Sequence, residues 1–394
     1  MNVLHLFNHY LPQTENWAYH LVRNIPEART FIAAKRYLPG EFLHQDFTFY
    51  EHPFGELDKL NESWRKEGNI GLSKRLLYKG RKLLFGDMRR FLVPFIKDHQ
   101  VQILHAHFAD IGWYYHRLAA KTKLPLVVSF YGWDYEMLSR TKPVYVMRLQ
   151  KLFQNADALV CEGPHGAETL VQKGCPVKKV HVVPLGVQVE KIPFFQRDKK
   201  AQELKLLQVA SFTEKKGHIA TLKAVANSRK QCPGLKLTFV GGSNQPGYRS
   251  FIQKEVARHG LSGCINFIDQ INFSSLHSFM KDFDVFIHPS CHAENGDCEG
   301  GAPIVLLDAQ ATGMPVISTI HCDIPSEVLQ GKTGRLALEK DHEAIAGFIR
   351  EFYQMNAEAY QLIAKAARQH VAENYDIPKN ATQLGKLYKK LIRK

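Results

Sequence analysis

Short apolar runs alternating with helical patterns along nearly the whole chain constrain its fold more than any other feature. Runs at 2–7, 101–105, 124–130, 157–161 and 180–183 read as strands, and a second set follows at 205–210, 235–240, 264–268, 284–288 and 315–319. Such alternation argues for parallel sheets, because a parallel crossover needs a helix to carry the chain back. The two sets are parted by 184–204, where Pro184-Leu185-Gly186-Val187 leads towards Lys191-Ile192-Pro193 and a charged stretch, the composition of an interdomain linker. The expected organisation is a first Rossmann-like α/β domain over 1–190 and a second over 191–375. Helical patterns at 342–353, 357–373 and 380–393 close the chain. With 394 residues, each half is long enough to bury a core. Ligands of open α/β sheets bind beyond the carboxyl ends of the strands, so the site is expected in the cleft between the domains.

The densest chemistry lies in 294–315, Glu-Asn-Gly-Asp-Cys-Glu-Gly-Gly-Ala-Pro-Ile-Val-Leu-Leu-Asp-Ala-Gln-Ala-Thr-Gly-Met-Pro. Glu299 precedes a Gly-Gly turn, a helix is expected to open at Pro303, and Asp308 follows about one turn in. Proline suits a first helical position because its missing N–H had no partner there. Free amides at a helix start, with its dipole, favour an anion such as a diphosphate, and glycines let backbone approach it. A carboxylate on each side suits a ligand with hydroxyls flanking phosphate, which describes a nucleotide sugar.

At these residues the chain resembles the retaining glycosyltransferases of the GT-B fold, family 4, and among them the subgroup of bacterial exopolysaccharide, lipopolysaccharide and colanic acid biosynthesis. The resemblance implies two facing Rossmann-like domains, the donor on the second, the acceptor on the first, and a last helix (376–394) crossing back onto the first. In that family a Glu, seven residues and a second Glu bracket the donor. Here Glu299 and Asp308 match with eight residues between them, one Gly being inserted. The implied roles are donor-sugar contact for Glu299 and ribose binding for Asp308. After strand 205–210 the family carries an Arg and a Lys-Gly that neutralise the departing diphosphate. Lys216 and Gly217 match, Ser211 stands at the Arg position, and Lys215 or Ser211 takes over its part. Gly241 and Gly242, after strand 235–240, match a donor-binding turn, and Ile271 lies where the family lines the base. Amides of Gly300, Gly301 and Ala302 and the start at Pro303 complete the donor site.

In the first half, His105-Ala106-His107-Phe108 matches the subgroup and places His105 and His107 near the acceptor. Tyr131 stands where the family has His, and Asp134 matches an acid that orients an acceptor hydroxyl. A phenol hydrogen bonds but does not take up protons near neutrality as imidazole does. Thr14 and Glu15 correspond to an acceptor loop. Each of these has a plainer reading. Lys215-Lys216 suits a surface pair at a helix start, Gly241-Gly242 a tight turn, and the two His strand-end imidazoles bonded to backbone. Asp134 suits a cap for a helix over 135–154, and Glu15 an acid in a first helical turn.

His288, Cys291, His292 and Cys298 offer zinc-ligand types, but their spacing fits no compact zinc motif. Asp297 and Glu299 read better as donor-loop acids. No metal or other cofactor is expected, because Lys216 and the helix start replace a divalent ion at the diphosphate. Farther on, His321-Cys322-Asp323-Ile324-Pro325 resembles a family loop ending in Ile-Pro-Glu, with Ser326 ahead of Glu327.

The net charge of +14 calls for anionic partners. Ten Lys/Arg and two acids fall between Arg65 and Lys97, interleaved from Trp64 onward with Leu72, Leu76, Leu77, Leu83, Leu84 and Phe85. The stretch 64–97 reads as a helix lying on an anionic membrane surface, or as one packing its apolar stripe on its own domain. No nucleic-acid motif accompanies the charge. No apolar run reaches the roughly 18 residues of a membrane span, and the start reads as a strand rather than a signal peptide. Seven scattered cysteines fit a reduced, cytoplasmic protein, with peripheral attachment to the inner membrane face as the expected variant. The expected enzyme is a metal-independent, retaining sugar transferase with a glycan or lipid-linked acceptor. Two alternatives stand beside it: a nucleotide-sugar epimerase of the same fold, and a non-catalytic module binding nucleotide sugar or glycan.

Overall fold

A computed structural model describes residues 1–12, 15–38, 46–53, 71–200 and 202–393. Its strands, all parallel, form two sheets. The first contains β1 (Asn2–Tyr10), β2 (Arg29–Tyr37), β3 (Thr48–Phe49), β4 (Ile103–His107), β5 (Leu126–Phe130), β6 (Ala158–Cys161) and β7 (Val180–Val182) in the order β3-β2-β1-β4-β5-β6-β7. The second contains β8 (Leu204–Val209), β9 (Leu235–Val240), β10 (Ile265–Ile268), β11 (Val285–Ile287), β12 (Val316–Thr319) and β13 (Gly334–Ala337) in the order β10-β9-β8-β11-β12-β13. Each order reverses direction once, between β1 and β4 and between β8 and β11. At such switch points the loops splay apart and leave a crevice at the carboxyl ends. This is the doubly wound α/β pair expected from the sequence.

β2, β3 and β13 lie outside the predicted strands. In β2 the run Thr30–Ala34 is buried at five successive positions because helices cover both faces, so alternation carries no signal there. The helix expected over 135–154 is two, Met137–Thr141 and Pro143–Asn155, since Pro143 biases Lys142 away from helical backbone.

The helix Ile377–Ile392 puts Ala381, Leu384, Leu387, Tyr388 and Leu391 into one cluster with Val3, Leu21, Ile25, Ile103 and Val127 of the first sheet's side. The chain therefore returns onto the half where it began. Two further ties run through 184–204. Val187 donates to Tyr375 and Ile377 donates back to Val187 (3.0 and 3.1 Å). The buried Arg197 guanidinium donates to the carbonyls of Met280, Phe283 and Thr312.

Candidate active site

The loop after β8 folds over the loop after β11. Gly217 has a left-handed φ of 70°, and a Cβ there would strike the carbonyl of Pro289. That close approach sets Lys216 against Glu299: Nζ lies 2.6 Å from Oε2, while Ser290 Oγ donates to Oε1 at 2.8 Å. Burial pushes the Glu299 carboxyl up, but Lys216 and Lys215 outweigh it and hold the group at about 2. Lys215 donates to Asp297 Oδ1 (3.2 Å) and to the Cys298 carbonyl (2.9 Å). The site is a buried, fixed pair of charges with a second cation beside it. Ser211 is half-buried in the same loop.

The amides of the Gly-Gly turn do not line an open anion nest, contrary to the expectation. Glu299 N–H donates to His321 Nε2 (3.1 Å). Gly300 N–H faces the sulfurs of Cys298 and Cys322, and Ala302 N–H faces the carboxyl of Glu162. The helix begins at Val305 and not at Pro303, and runs only to Ala311. Leu306 and Leu307 already bond back to Pro303 and Ile304, so the first turn is a tight three-residue one. Gly241 (φ 153°) meets the carbonyl of Ala210 rather than an open space, whereas Gly242 is unobstructed. Ile271 is partly buried and packs against the core cluster that holds Leu207, Val240 and Phe286.

Residues of the first half close over this turn. A Cβ on Gly132 would strike Gly300, and one on Gly301 would strike Glu162. Tyr135 donates to the Gly300 carbonyl (2.7 Å), and His165 N–H donates to Asp323 Oδ1 (2.8 Å). Burial pushes Glu162 well above the usual carboxylate range, and the charges of Asp323, Asp134 and Glu299 add to it. Glu162 and Tyr135 were missed from sequence. Glu162-Gly163-Pro164, a strand end running into a Pro-initiated helix, carries a readable signal; Tyr135 carries none.

Asp308 lies apart from Glu299, with Oδ1 2.8 Å from His277 Nε2. Both line a cavity of about 250 Å³ enclosed by Trp17, His20, Phe273 and Ile304 together with Gly186–Gln188 of the crossing segment. The cavity thus spans both halves, and a carboxylate, an imidazole and aromatic walls suit a nucleoside.

His105 and His107 are both buried in the first sheet and do not face the cleft. His105 Nε2 pairs with Ser129 Oγ (2.8 Å) and Nδ1 with Tyr388 of the last helix, and burial lowers the imidazole to about 3. His107 bridges His5 Nδ1 (3.0 Å) and the Tyr131 hydroxyl (2.7 Å). Tyr131 stacks near Trp17, and burial pushes its phenol well above the usual range, so it stays protonated. Asp134 is fully buried, accepting from Tyr131 N–H (3.2 Å) and Ala109 N–H (2.9 Å). It caps the helix Ala109–Thr122 rather than one that follows it, and burial raises its carboxyl to about 7. Glu15, ahead of the helix Asn16–Arg23, is also pushed up to about 7 by burial. Thr14 lies outside the described residues.

The four zinc-type residues 288, 291, 292 and 298 do not converge, and both ring nitrogens of His288 are buried without a hydrogen-bond partner. His292 pairs with Glu339, Cys291 with the Glu214 carbonyl and Cys298 with Cys322, while His288 is buried beside Lys216 and Glu299. An Asp-x-Asp triplet does occur at Asp282-Phe283-Asp284. Asp284 accepts from Lys205 N–H (2.7 Å) at the amino end of β8, the far edge of the sheet from the site.

Two family models match in tandem, "Glycosyltransferase Family 4" over 49–191 and "Glycosyl transferases group 1" over 190–370. The chain belongs to the group 1, family 4 glycosyltransferases. Its relatives include WcaL of Salmonella typhimurium, named for colanic acid biosynthesis, at 29% identity over 83% of this chain and 81% of that protein. AmsK of Erwinia amylovora, named for amylovoran biosynthesis, is 29% identical over 56% of this chain and 53% of its own. Among solved structures, Anabaena HepE in complex with UDP and glucose superposes with a TM-score of 0.76 at 15% identity, covering 99% of this chain and 100% of its own. WaaG, a glycosyltransferase involved in lipopolysaccharide biosynthesis, superposes at 0.64 with 16% identity, covering 98% and 99%. These likenesses identify the fold as GT-B.

Proposed function

We propose that this glycosyltransferase moves a sugar, with retention, from a nucleoside-diphosphate sugar to a glycan or lipid-linked acceptor in bacterial exopolysaccharide synthesis. The observation that carries the reading is the Lys216–Glu299–Ser290 constellation at the carboxyl ends of β8 and β11, with Gly132 of the first half set against Glu299 and Gly300. The names of WcaL and AmsK support the exopolysaccharide context, and the UDP and glucose of the HepE structure support the donor class. Lys216 is oriented before the donor arrives, so its charge reaches the departing diphosphate without reorganisation, worth several kcal/mol. Lys215 adds a second positive charge in place of a divalent ion. Departing phosphate then accepts the acceptor proton, while Tyr131, held protonated and bonded to His107, takes up none. Asp308 and His277 would hold the ribose in the cavity.

The helix Leu72–Phe85 supports work at an anionic membrane face. It exposes Leu76, Leu77, Leu83 and Leu84 beside Lys79 and Arg81, so among the described residues these leucines are not packed on their own domain. No helix of the described residues is long and apolar enough to cross a membrane.

The second reading, a non-catalytic binding module, is favoured by one observation: the amides of Glu299, Gly300 and Ala302 already have partners. A panel of UDP-, GDP-, ADP- and CDP-sugars separates the two. Slow release of one nucleotide, lost in Lys216→Ala and unchanged by added Mg2+ or Mn2+, is expected of the transferase. Tight binding with no turnover, even with extracted lipid-linked acceptors, would favour the module.

A further inference from the structure

Beside the Gly-Gly turn, the sulfurs of Cys298 and Cys322 and a ring nitrogen of His321 lie within 4.8 Å of one another. We propose that these three atoms form a binding site for Zn2+ that braces the donor loop. The residue types are those of a soft-metal site, two thiolates and an imidazole. Zn–S and Zn–N bonds of about 2.3 and 2.0–2.1 Å at a tetrahedral angle imply an S···N edge of about 3.5 Å. Cys322 Sγ and His321 Nε2 are 3.4 Å apart.

Two neighbours prepare the atoms for an ion. His321 Nδ1 is 2.7 Å from Glu339 Oε1, which places the ring proton on Nδ1 and leaves the Nε2 lone pair facing the sulfurs. A carboxylate behind a ligating imidazole is the usual outer support of zinc. Gly300 N–H points at both sulfurs, and an amide directed at sulfur favours the thiolate. Cys298 and His321 are buried while Cys322 is partly exposed, which leaves one side for entry and for a fourth ligand such as water.

Binding has a structural consequence. Nε2 of His321 now accepts the Glu299 amide, and a metal on that nitrogen would displace it. The Glu299 N–H would be freed towards the cleft while the turn stays anchored through Cys298. The ion takes no part in the chemistry at Lys216, and the proposal stands whether or not the chain is a transferase.

The test is metal content and cobalt spectroscopy on the whole protein, purified reduced and without chelators. Near one Zn2+ per chain is expected. Replacement by Co2+ should give the near-ultraviolet thiolate-to-cobalt charge-transfer band, lost in Cys298→Ser and Cys322→Ser. Glu339→Gln should keep the site but weaken it about 10–100-fold. Cys322→Ser, at a partly exposed position, is the variant least exposed to misfolding, and circular dichroism checks it. Failure of the reduced wild type to take up Co2+ overturns the proposal, as does metal retained in both Ser variants. So does a thiol count two short of the seven cysteines that recovers on reduction, since the pair would then be a disulfide.

Discussion

Lys216→Met should expose how much of the fold's stability is invested in the donor site. Glu299 is held at about 2 against an ordinary 4.5, and a gap of that size corresponds to about 3 kcal/mol. The Glu299 side chain is only 7% exposed, so solvent does little to screen the pair. The sign follows from the depressed folded-state value. The contribution is fully present above pH 4.5 and fades as the pH falls towards 2. Removing Lys216 takes away most of it, with Lys215 and Ser290 retaining part. Stripping one partner from a buried pair costs about 3–5 kcal/mol in general, the same order. Urea denaturation at pH 7 should therefore show Lys216→Met about 2–3 kcal/mol less stable than wild type, with an unchanged m-value. At pH 3 the gap should shrink, because the wild type has begun to lose what the variant lacks. Lys216→Met/Glu299→Gln should recover part of the loss at pH 7, since no unpaired charge remains. A gap that is equal at pH 3 and pH 7, or absent at both, would refute the electrostatic account. Donor hydrolysis should fall about 10²–10³-fold in Lys216→Met, the usual cost of one well-placed donor.

The contact between the halves is open to a separate test. Gly132→Ala forces a Cβ into the Gly300 backbone from a left-handed φ of 92°, so donor turnover should fall at least about tenfold and stability should drop by about 1–3 kcal/mol. Glu162→Gln should stabilise the protein at pH 8. A carboxyl whose folded pKa is raised costs stability as the pH rises above its ordinary value, and an amide removes that cost; melting temperatures across pH 5–8 check it. Tyr388→Phe removes the last helix's hydrogen bond to His105, leaving a buried imidazole nitrogen unpaired, and should cost about 1–3 kcal/mol without altering donor binding by calorimetry. Leu83→Ser/Leu84→Ser should reduce sedimentation with phosphatidylglycerol vesicles at least about tenfold, because each leucine inserted contributes about 1.5–3 kcal/mol; equal sedimentation would remove the membrane reading.

The fold was legible because its signal is local. Apolar runs of strand length and Gly/Pro punctuation mark ten of the strands, and only those without alternation or of small size escaped. The candidate site was legible by composition but not by contact. Glu299, Lys216 and Asp308 stand out as residue types at suggestive spacing, and the first two do meet. Partners from the other half were hidden, since nothing in the sequence near Gly300 announces that Tyr135, Gly132 and Glu162 will sit on it. The histidines show the reverse failure. His105 and His107 look like site residues because polar groups at a strand end are unusual, yet both are buried and paired with His5, Tyr131, Ser129 and Tyr388.

The Gly300-Gly301 turn is where these threads join. Gly301 is the residue whose missing side chain admits Glu162. Gly300, at φ 78°, turns its amide back to the two cysteine sulfurs and its carbonyl out to Tyr135. The turn thus ties one face to Cys298, Cys322 and His321 and the other to the opposite half. A donor whose diphosphate takes the Ala302 amide would loosen the Glu162 contact, because carboxyl and diphosphate cannot both take that amide. Nucleotide affinity should consequently fall as pH rises and Glu162 gains charge near the site, and the trend should flatten in Glu162→Gln. Calorimetric titration of UDP, GDP, ADP and CDP across pH 6–9 measures it; an affinity that is independent of pH in the wild type would place the diphosphate elsewhere.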